Sequence, residues 1–190
     1  MKDLSLHLMD IAQNATAAGA KRVDIALVAH RDPMTLTLTV ADDGRGMDAA
    51  FLARVADPFT TTRTTRKVGL GIPLLKLAAE MTGGRLDILS APGVGTTIAT
   101  VFGLDHIDRI PVGDMAATVA ALVTAWTEMD WVLHLESWKE TFDLSTMDMK
   151  EILGDVSLGS PDVAGWLGET VQEAMNSVFG GILDEITEGS

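Results

Sequence analysis

The chain has 190 residues, 47% of them hydrophobic and 22% charged, and no apolar run approaches the roughly 18 residues needed to span a bilayer. We therefore expect a globular protein that does not insert into a membrane. The absence of cysteine excludes disulfides, thiol catalysis and thiolate metal sites. No secretory leader pattern opens the chain, which favours a cytoplasmic location.

Charge divides the sequence into two unlike halves. Residues 1–102 carry 11 Lys/Arg and 10 Asp/Glu, whereas residues 103–190 carry 3 and 17 and contain all four tryptophans. This asymmetry predicts a boundary near Gly103, with one domain over residues 1–103 and an acidic, tryptophan-containing α/β domain over residues 104–190. Because an acidic surface repels phosphate backbones, we do not expect the second half to bind nucleic acid.

The first predicted element is a helix from Leu4 to Ala18, in which apolar residues recur at spacings of three and four. Its opposite face carries His7, Asp10 and Asn14 about one turn apart, and His7 is expected to be a partly exposed helix residue.

Alternation of apolar residues predicts strands around residues 23–27 and 34–40, followed by a short helix near residues 48–55. A second amphipathic helix is marked by Leu70, Leu74, Leu77 and Met81, with Pro73 in its first turn. Strands around residues 85–89 and 97–102 complete the first half. The order α, β, β, α, loop, α, β, β predicts an α+β fold: a two-layer sandwich in which helices cover one face of a mixed sheet.

The second half begins with a helix predicted over residues 113–127, and a hairpin is predicted within residues 131–144. A final helix starts with Ser160 as N-cap and Pro161 at its first position. For most of the four tryptophans, which are Trp126, Trp131, Trp138 and Trp166, the sequence favours a place in the core.

Four short motifs occur in the first half: Asp10-x-x-x-Asn14 on a helix, "DDGRGM" after a strand, "GLG" at a helix start and "GVGT" between strands. In this order and spacing, residues 4–102 resemble the Bergerat-fold (GHKL) ATPases, which include sensor histidine kinases, gyrase-type topoisomerases, heat-shock chaperones and mismatch-repair ATPases. The layout of both halves is also similar, more loosely, to small stand-alone ATP-binding proteins of bacteria.

The resemblance implies ATP as the ligand and Mg²⁺ as its metal. Asn14 corresponds to the asparagine that holds the metal, and its amide oxygen is a hard ligand suited to Mg²⁺. Asp42 corresponds to the aspartate that accepts a hydrogen bond from the exocyclic amine of adenine, and Thr96 to the threonine that shares a water with that aspartate and the base. The alternatives are a helix N-cap for Asp42 and an ordinary strand threonine for Thr96.

The resemblance also assigns binding roles to the glycine-rich segments. Gly44, Gly46 and Met47 would lie against the base, since glycines permit close approach of the backbone. The loop before the second helix resembles a lid that holds the triphosphate through hydroxyls, cations and backbone N–H groups. Its candidate residues are Thr60, Thr61, Thr62, Arg63, Arg66, Lys67, Gly69, Leu70 and Gly71. A solvated basic loop is the alternative.

Asp10 is the candidate catalytic residue. It stands four residues before Asn14, where hydrolysing and serine-phosphorylating members of the family carry a glutamate. It could act as a general base or bind Mg²⁺ indirectly, through a water that the metal holds. No phospho-acceptor helix is recognisable, so a kinase of this kind would act on another protein. The alternative is a module that senses ATP without turnover. In either case we expect the acidic second half to dock a protein partner.

Overall fold

The computed structural model describes residues 3–55 and 71–183. It contains six helices and six strands within those ranges. The helices are α1 (Leu4–Ala17), α2 (Ala49–Val55), α3 (Gly71–Glu80), α4 (Met115–Ala125), α5 (Thr146–Leu153) and α6 (Pro161–Phe179). The strands are β1 (Arg22–Arg31), β2 (Met34–Asp42), β3 (Arg85–Ala91), β4 (Gly95–Gly103), β5 (Asp130–Glu136) and β6 (Thr141–Ser145).

The six strands form one mixed sheet in the order β3-β4-β2-β1-β5-β6. All neighbouring strands are antiparallel except β1 and β5, which run parallel from the pair Arg22 and Asp130 to the pair Val28 and Glu136. A parallel pair needs a long crossover, and here the chain crosses through β2, the middle elements and α4. The two strands of the second half therefore extend the sheet of the first half.

One face of the sheet is buried under helices, and the other is more open. Along β1 and β2 the buried residues alternate with partly exposed ones, so that Leu27 and Leu38 point into the core while Ala26 and Thr39 point away. Helix α1 packs against α3 and α4, and α4 packs against α6, which makes a helical layer on the buried face. This is the predicted two-layer sandwich.

Helix α1 forms where its apolar spacing predicts, with Asp3 as N-cap accepting a hydrogen bond from the Leu6 N–H at 3.0 Å. Leu4, Leu8, Ile11 and Ala15 are buried on the predicted face. The expectation of a partly exposed His7 is wrong, because its side chain is 2% exposed.

Helix α3 corresponds to the predicted second helix, but its predicted apolar face is wrong. Leu74, Leu77 and Met81 are 40%, 54% and 55% exposed. The buried side of the helix instead carries Ile72 and Leu75. Leu70, the other residue of the predicted face, lies outside the described residues.

In the second half, the predicted hairpin is β5–β6, and α6 begins as predicted, with Ser160 Oγ accepting from the Val163 N–H at 3.3 Å. The expected burial of most tryptophans is wrong. Trp131 is buried and Trp126 is partly buried against the core, whereas Trp138 and Trp166 are 38% and 51% exposed.

The two halves share one hydrophobic cluster, which includes Leu38 and Phe102 from the first half and Leu133 and Leu167 from the second. The predicted boundary at Gly103 coincides with the end of β4, and as a domain boundary it stays a prediction. Across residues 3–55 and 71–183, no helix is both long enough and apolar enough to cross a bilayer.

Candidate functional site

A row of three polar side chains lies across the end of the sheet. Asp42 on β2 is paired with Thr96 on β4, and Thr96 is paired in turn with Ser90 on β3. Two residues earlier in β2, Val40 pairs with Ile98, which pairs with Ile88. Val40 and Ile98 are buried in the core and Ile88 packs against it. Since side chains alternate along a strand, Asp42, Thr96 and Ser90 stand on that same side, just beyond the core.

Asp42 is partly buried and bonds to the loop that follows it. Its Oδ1 accepts a hydrogen bond from the Gly44 N–H at 2.8 Å. Burial raises the pKa of Asp42, while the backbone N–H groups of Gly44 and Thr96 act in the opposite direction by favouring the ionised form. The predicted alternative of a helix N-cap does not describe this contact, because the next helix begins at Ala49.

The loop after Asp42 is fixed against both neighbouring segments. Asp43 accepts hydrogen bonds from the N–H groups of Lys21 and Arg22 at 2.7 and 2.9 Å, and the Arg22 contact is the main reason why its pKa is lowered. The Arg45 N–H donates to the Ala18 carbonyl at 3.0 Å, which ties the loop to the end of α1. A Cβ at Gly44 would lie 2.9 Å from the Ala18 Cβ, so only glycine fits there without a shift.

Gly46 and Met47 connect this loop to the turn between β3 and β4. Gly46 has a φ of +66°, and a Cβ at this position would lie 1.9 Å from the Ala91 carbonyl oxygen. The Met47 N–H donates to Ser90 Oγ at 2.9 Å. The loop and the turn are therefore held together by close backbone approach and by one side chain.

Helix α1 contributes Asp10 and Asn14, whose carboxylate and amide are oxygen donors one helical turn apart. Asp10 is partly buried and Asn14 is exposed. The Asn14 side chain makes no hydrogen bond to any residue in the described parts of the chain. Hard oxygen donors in this arrangement suit Mg²⁺, which uses one or two protein ligands and completes its shell with water and phosphate oxygens.

His7 lies one turn before Asp10, and its Nδ1 is buried without a hydrogen-bond partner in the described structure. Burial lowers the pKa of His7, against smaller opposing effects of the Gly71 backbone and the Asp10 carboxylate. The contact with the Gly71 backbone connects the His7 imidazole on α1 to the first residue of α3.

The structure therefore brings Asp42, Gly44, Gly46, Met47 and Thr96 together around one end of the sheet. It places Asp10 and Asn14 on α1 and Gly71 at the start of α3. The remaining predicted members lie outside the described residues: Thr60, Thr61, Thr62, Arg63, Arg66, Lys67, Gly69 and Leu70. Sequence reasoning missed Ser90 because its contacts depend on the register of β3 with β4, and no local motif marks it.

The family described as "Histidine kinase-, DNA gyrase B-, and HSP90-like ATPase" matches residues 2–106 of the chain. The chain is also 32% identical over 124 residues to a "Non-motile and phage-resistance protein" and 30% identical over 128 residues to "Histidine protein kinase DivJ", both from Caulobacter vibrioides. These matches cover 62% and 65% of the chain but 15% and 19% of the two relatives.

Among solved structures, the chain is similar to the "N terminal domain of a DNA repair protein", with a TM-score of 0.57 at 14% identity. That similarity covers 95% of this chain and 57% of the other, and at this identity it shows the fold alone. It extends into the second half, beyond the part that the family match covers.

Proposed function

Because the chain belongs to the family of histidine kinase-, DNA gyrase B- and HSP90-like ATPases, and so binds ATP through its first half, we propose that it binds ATP as the Mg²⁺ complex with selectivity for adenine. The bound ATP is hydrolysed, or its γ-phosphate is transferred to a protein partner. The curated relatives are several times longer than the matched segment, so this activity is proposed from the chain's own residues.

The observation that carries the proposal is the row formed by Asp42 and Thr96 above a loop with no side chains at Gly44 and Gly46. Ionised Asp42 is an acceptor for the exocyclic amine of adenine, whereas guanine presents a carbonyl oxygen at the same position. The Gly44 N–H already bonds one carboxylate oxygen, which fixes the orientation of the acceptor.

For the metal, the proposed ligand is the Asn14 amide oxygen. Within the described residues its side chain has no other partner, and the neighbouring Asp10 carboxylate is the type of donor that Mg²⁺ accepts together with phosphate oxygens. When bound, Mg²⁺ would neutralise phosphate charge.

Asp10 would accept a proton from the attacking water or hydroxyl, or would orient a metal-bound water; its position on α1 suits both roles equally.

Triphosphate binding is proposed for the segment between α2 and α3. The segment supplies three kinds of group that bind phosphate: hydroxyls, cations and backbone N–H groups. These are the hydroxyls of Thr60, Thr61 and Thr62, the cations Arg63, Arg66 and Lys67, and the backbone around Gly69, Leu70 and Gly71. Gly71 begins α3, and the N-terminal N–H groups of a helix favour anions.

A protein partner is proposed for the acidic second half, in a cytoplasmic setting. Its three cations are all engaged by the chain's own oxygens. Arg109 donates to the carbonyls of Leu104 and Leu183, Lys139 donates to the Gly180 carbonyl, and Lys150 pairs with Asp130 at 2.9 Å. Most of the acidic side chains in this half are therefore left without an ion pair within the described residues, which favours a basic partner surface.

The binding proposal is tested by calorimetry with ATP and GTP, with and without Mg²⁺. We expect Asp42→Asn to weaken ATP binding by about 1–3 kcal/mol, because the amide places a donor against the amine of the base. Asp87→Asn is the matched control, since Asp87 is exposed on β3 and, within the described residues, pairs with Arg85 alone. Equal affinity for ATP and GTP in the wild-type chain would refute the role of Asp42.

The second candidate function is an ATP sensor without turnover, and the exposed tryptophans and acidic surface of the second half favour it as a docking module. Steady-state phosphate release by the wild-type chain and Asp10→Asn separates the two. The enzyme requires turnover that the substitution abolishes, or transfer to a co-purified protein. ATP binding with neither activity leaves the sensor.

A further inference from the structure

An open groove of about 400 Å³ lies between α4 and α6, on the surface of the acidic half. The side chains that line it are short or acidic: Asp114, Ala116 and Ala117 from the start of α4, and Gly168, Glu169, Gln172 and Glu173 from α6. Gly168 leaves space where the two helices pack, because a Cβ at this position would have no atom within 4 Å.

The outer face of α6 continues the wall of the groove. A row of exposed residues, about 16 Å long, runs along it at spacings of three and four: Asp162, Trp166, Glu169 and Glu173. The helix contains no Lys or Arg, and within the described residues these three carboxylates form no ion pair and no hydrogen bond. Asp162 favours the helix N-terminus through the dipole, but the two glutamates have no such role.

Several features of this face destabilise the chain as it stands. Glu169 and Glu173 have the spacing at which like charges repel on a helix. Gly165 and Gly168 lie inside α6, where glycine is less favourable than alanine, and the packing does not require either one, because a Cβ at each would have no atom within 4 Å. Trp166 is 51% exposed. A partner that covered the face would offset these costs.

The charge of the face indicates which partner fits. Nucleic acid, an anionic membrane and a second copy of this chain, whose net charge is −13, are all repelled by it. A basic polypeptide is attracted, since arginines can pair with Glu169 and Glu173 and stack on Trp166. The absence of a side chain at Gly168 lets a partner backbone come close to α6.

We propose that the groove between α4 and α6, together with the acidic row beside it, is the docking surface for an arginine-bearing segment of a protein partner. The inference deepens the proposed function, since it names the surface for the basic partner proposed there and rests on that proposal. Glu169 and Glu173 supply the attraction, and Gly168 supplies the space.

The attraction is tested with a synthetic peptide of about twelve residues in which arginine alternates with alanine, long enough to cover the row as a helix. Its dissociation constant for the full chain is measured by fluorescence anisotropy at physiological salt. We expect Glu169→Gln with Glu173→Gln to weaken binding by about fivefold, the size of two exposed ion pairs.

Glu151→Gln with Asp155→Asn is the matched control for charge. These two exposed residues are also four apart and, within the described parts of the chain, form no ion pair. The control removes the same charge from the acidic half, and we expect affinity to stay within about twofold of the wild-type value, because salt screens charges outside the contact.

The space is tested at the two glycines of α6. Gly168→Leu puts a side chain into the groove and is expected to weaken peptide binding by about fivefold or more. Gly165→Leu makes the same change in the same helix, at a residue that does not line the groove, and is expected to have an effect of about twofold or less. Both should raise the midpoint of thermal unfolding, since leucine is the better helix former, so weaker binding by Gly168→Leu would not reflect unfolding.

The proposal is overturned if the two carboxylate pairs have equal effects, since the attraction would then belong to the acidic half in general. Equal effects of Gly168→Leu and Gly165→Leu on peptide binding would overturn it as well. A wild-type chain that binds no peptide refutes both this surface and the proposed basic partner. ATP binding by the same variants is measured by calorimetry and is expected to be unchanged, and its absence in the wild-type chain would refute the proposed nucleotide site alone.

Discussion

At the scale of single residues, Gly46 shows why the loop sequence is restrictive. Its φ of +66° is a conformation that other residues rarely adopt, and a Cβ there would collide with the Ala91 carbonyl oxygen at 1.9 Å. Gly93, in the opposing turn, has a similar φ of +74° but no atom within 4 Å of a Cβ position. A substitution at Gly93 therefore tests backbone strain alone, whereas a substitution at Gly46 tests backbone strain together with a steric clash.

We expect Gly93→Ala to lower the free energy of unfolding by about 1–2 kcal/mol, the cost of an alanine in the left-handed region. Gly46→Ala should cost about 1–3 kcal/mol more, because backbone atoms must also move apart. ATP affinity should fall with Gly46→Ala and change little with Gly93→Ala. Urea unfolding and calorimetry measure both quantities, and equal effects of the two substitutions would contradict the close approach at Gly46.

The sequence marked Asp42, Gly44 and Gly46 as members of one motif through its resemblance to the ATPase family, and their roles in binding stay a prediction. The contacts of Ser90 were not predictable, because they depend on which residues of β3 and β4 lie opposite each other.

The burial of His7 was also missed. Helical spacing places it on the same side as Asp10 and Asn14, and its burial depends on tertiary packing, in which α3 lies against α1 with the Gly71 backbone next to the imidazole.

At the scale of elements, periodicity predicted where α3 forms but chose the wrong face. The helix carries apolar residues all round, so a spacing of three and four fits Leu74 and Leu77 as well as Ile72 and Leu75. Tertiary packing decides between them. The strands were predicted more reliably, because alternation with threonine along β2 allows only one buried face.

The β5–β6 hairpin carries a histidine between two carboxylates on the open face of the sheet. His134 Nδ1 lies 2.7 Å from Asp143 on β6, and its Nε2 lies 3.0 Å from Glu136 on β5. The hydrogen bonds to Asp143 and then Glu136 raise the pKa of His134 above its ordinary value of 6.5. β6 is the edge strand, so this contact helps to hold the edge of the sheet.

The sign of the pH effect follows from the raised pKa. The folded chain binds the His134 proton more tightly than the unfolded chain, so this contribution is fully present below pH 6.5 and is lost as the pH rises through the folded pKa. The side chain is 32% exposed, which limits the effect to about 1 kcal/mol or less.

We therefore expect His134→Gln to destabilise the chain more at pH 6 than at pH 8.5, as measured by the midpoint of urea unfolding. His30→Gln is the control, since His30 is exposed on β1 and forms no ion pair within the described residues. If the effect of His134→Gln is the same at both pH values, the histidine stabilises the hairpin without a charge.

At the scale of the whole molecule, charge and fold divide the chain differently. Net charge changes sharply near Gly103, but the sheet continues through β1 into β5. The segment after β4 also supplies hydrogen-bond acceptors to the first turn of α1, because the N–H groups of Leu4 and Ser5 donate to the carbonyls of Pro111 and Val112 at 2.9 Å each. The N-terminus of helix α1, which carries the proposed metal ligand, is thus hydrogen-bonded to residues of the acidic half.

A chain that ends at Gly103 tests how far the halves depend on each other. It would lose the strand beside β1, the acceptors at the start of α1 and the helix α4 that covers α1. We expect residues 1–103 alone to unfold without a cooperative transition and to bind ATP at least tenfold more weakly than the full chain, because an exposed β1 edge and an uncovered core remain.

Adding residues 104–190 as a separate chain provides the matched control, since every lost contact is then available again. Recovery of cooperative unfolding and of ATP affinity in the mixture is expected if β5 can rejoin β1. The opposite result is equally informative. If residues 1–103 unfold cooperatively and bind ATP within tenfold of the full chain, the boundary predicted from the charge at Gly103 separates two independent domains, and the shared sheet contributes little to the nucleotide site.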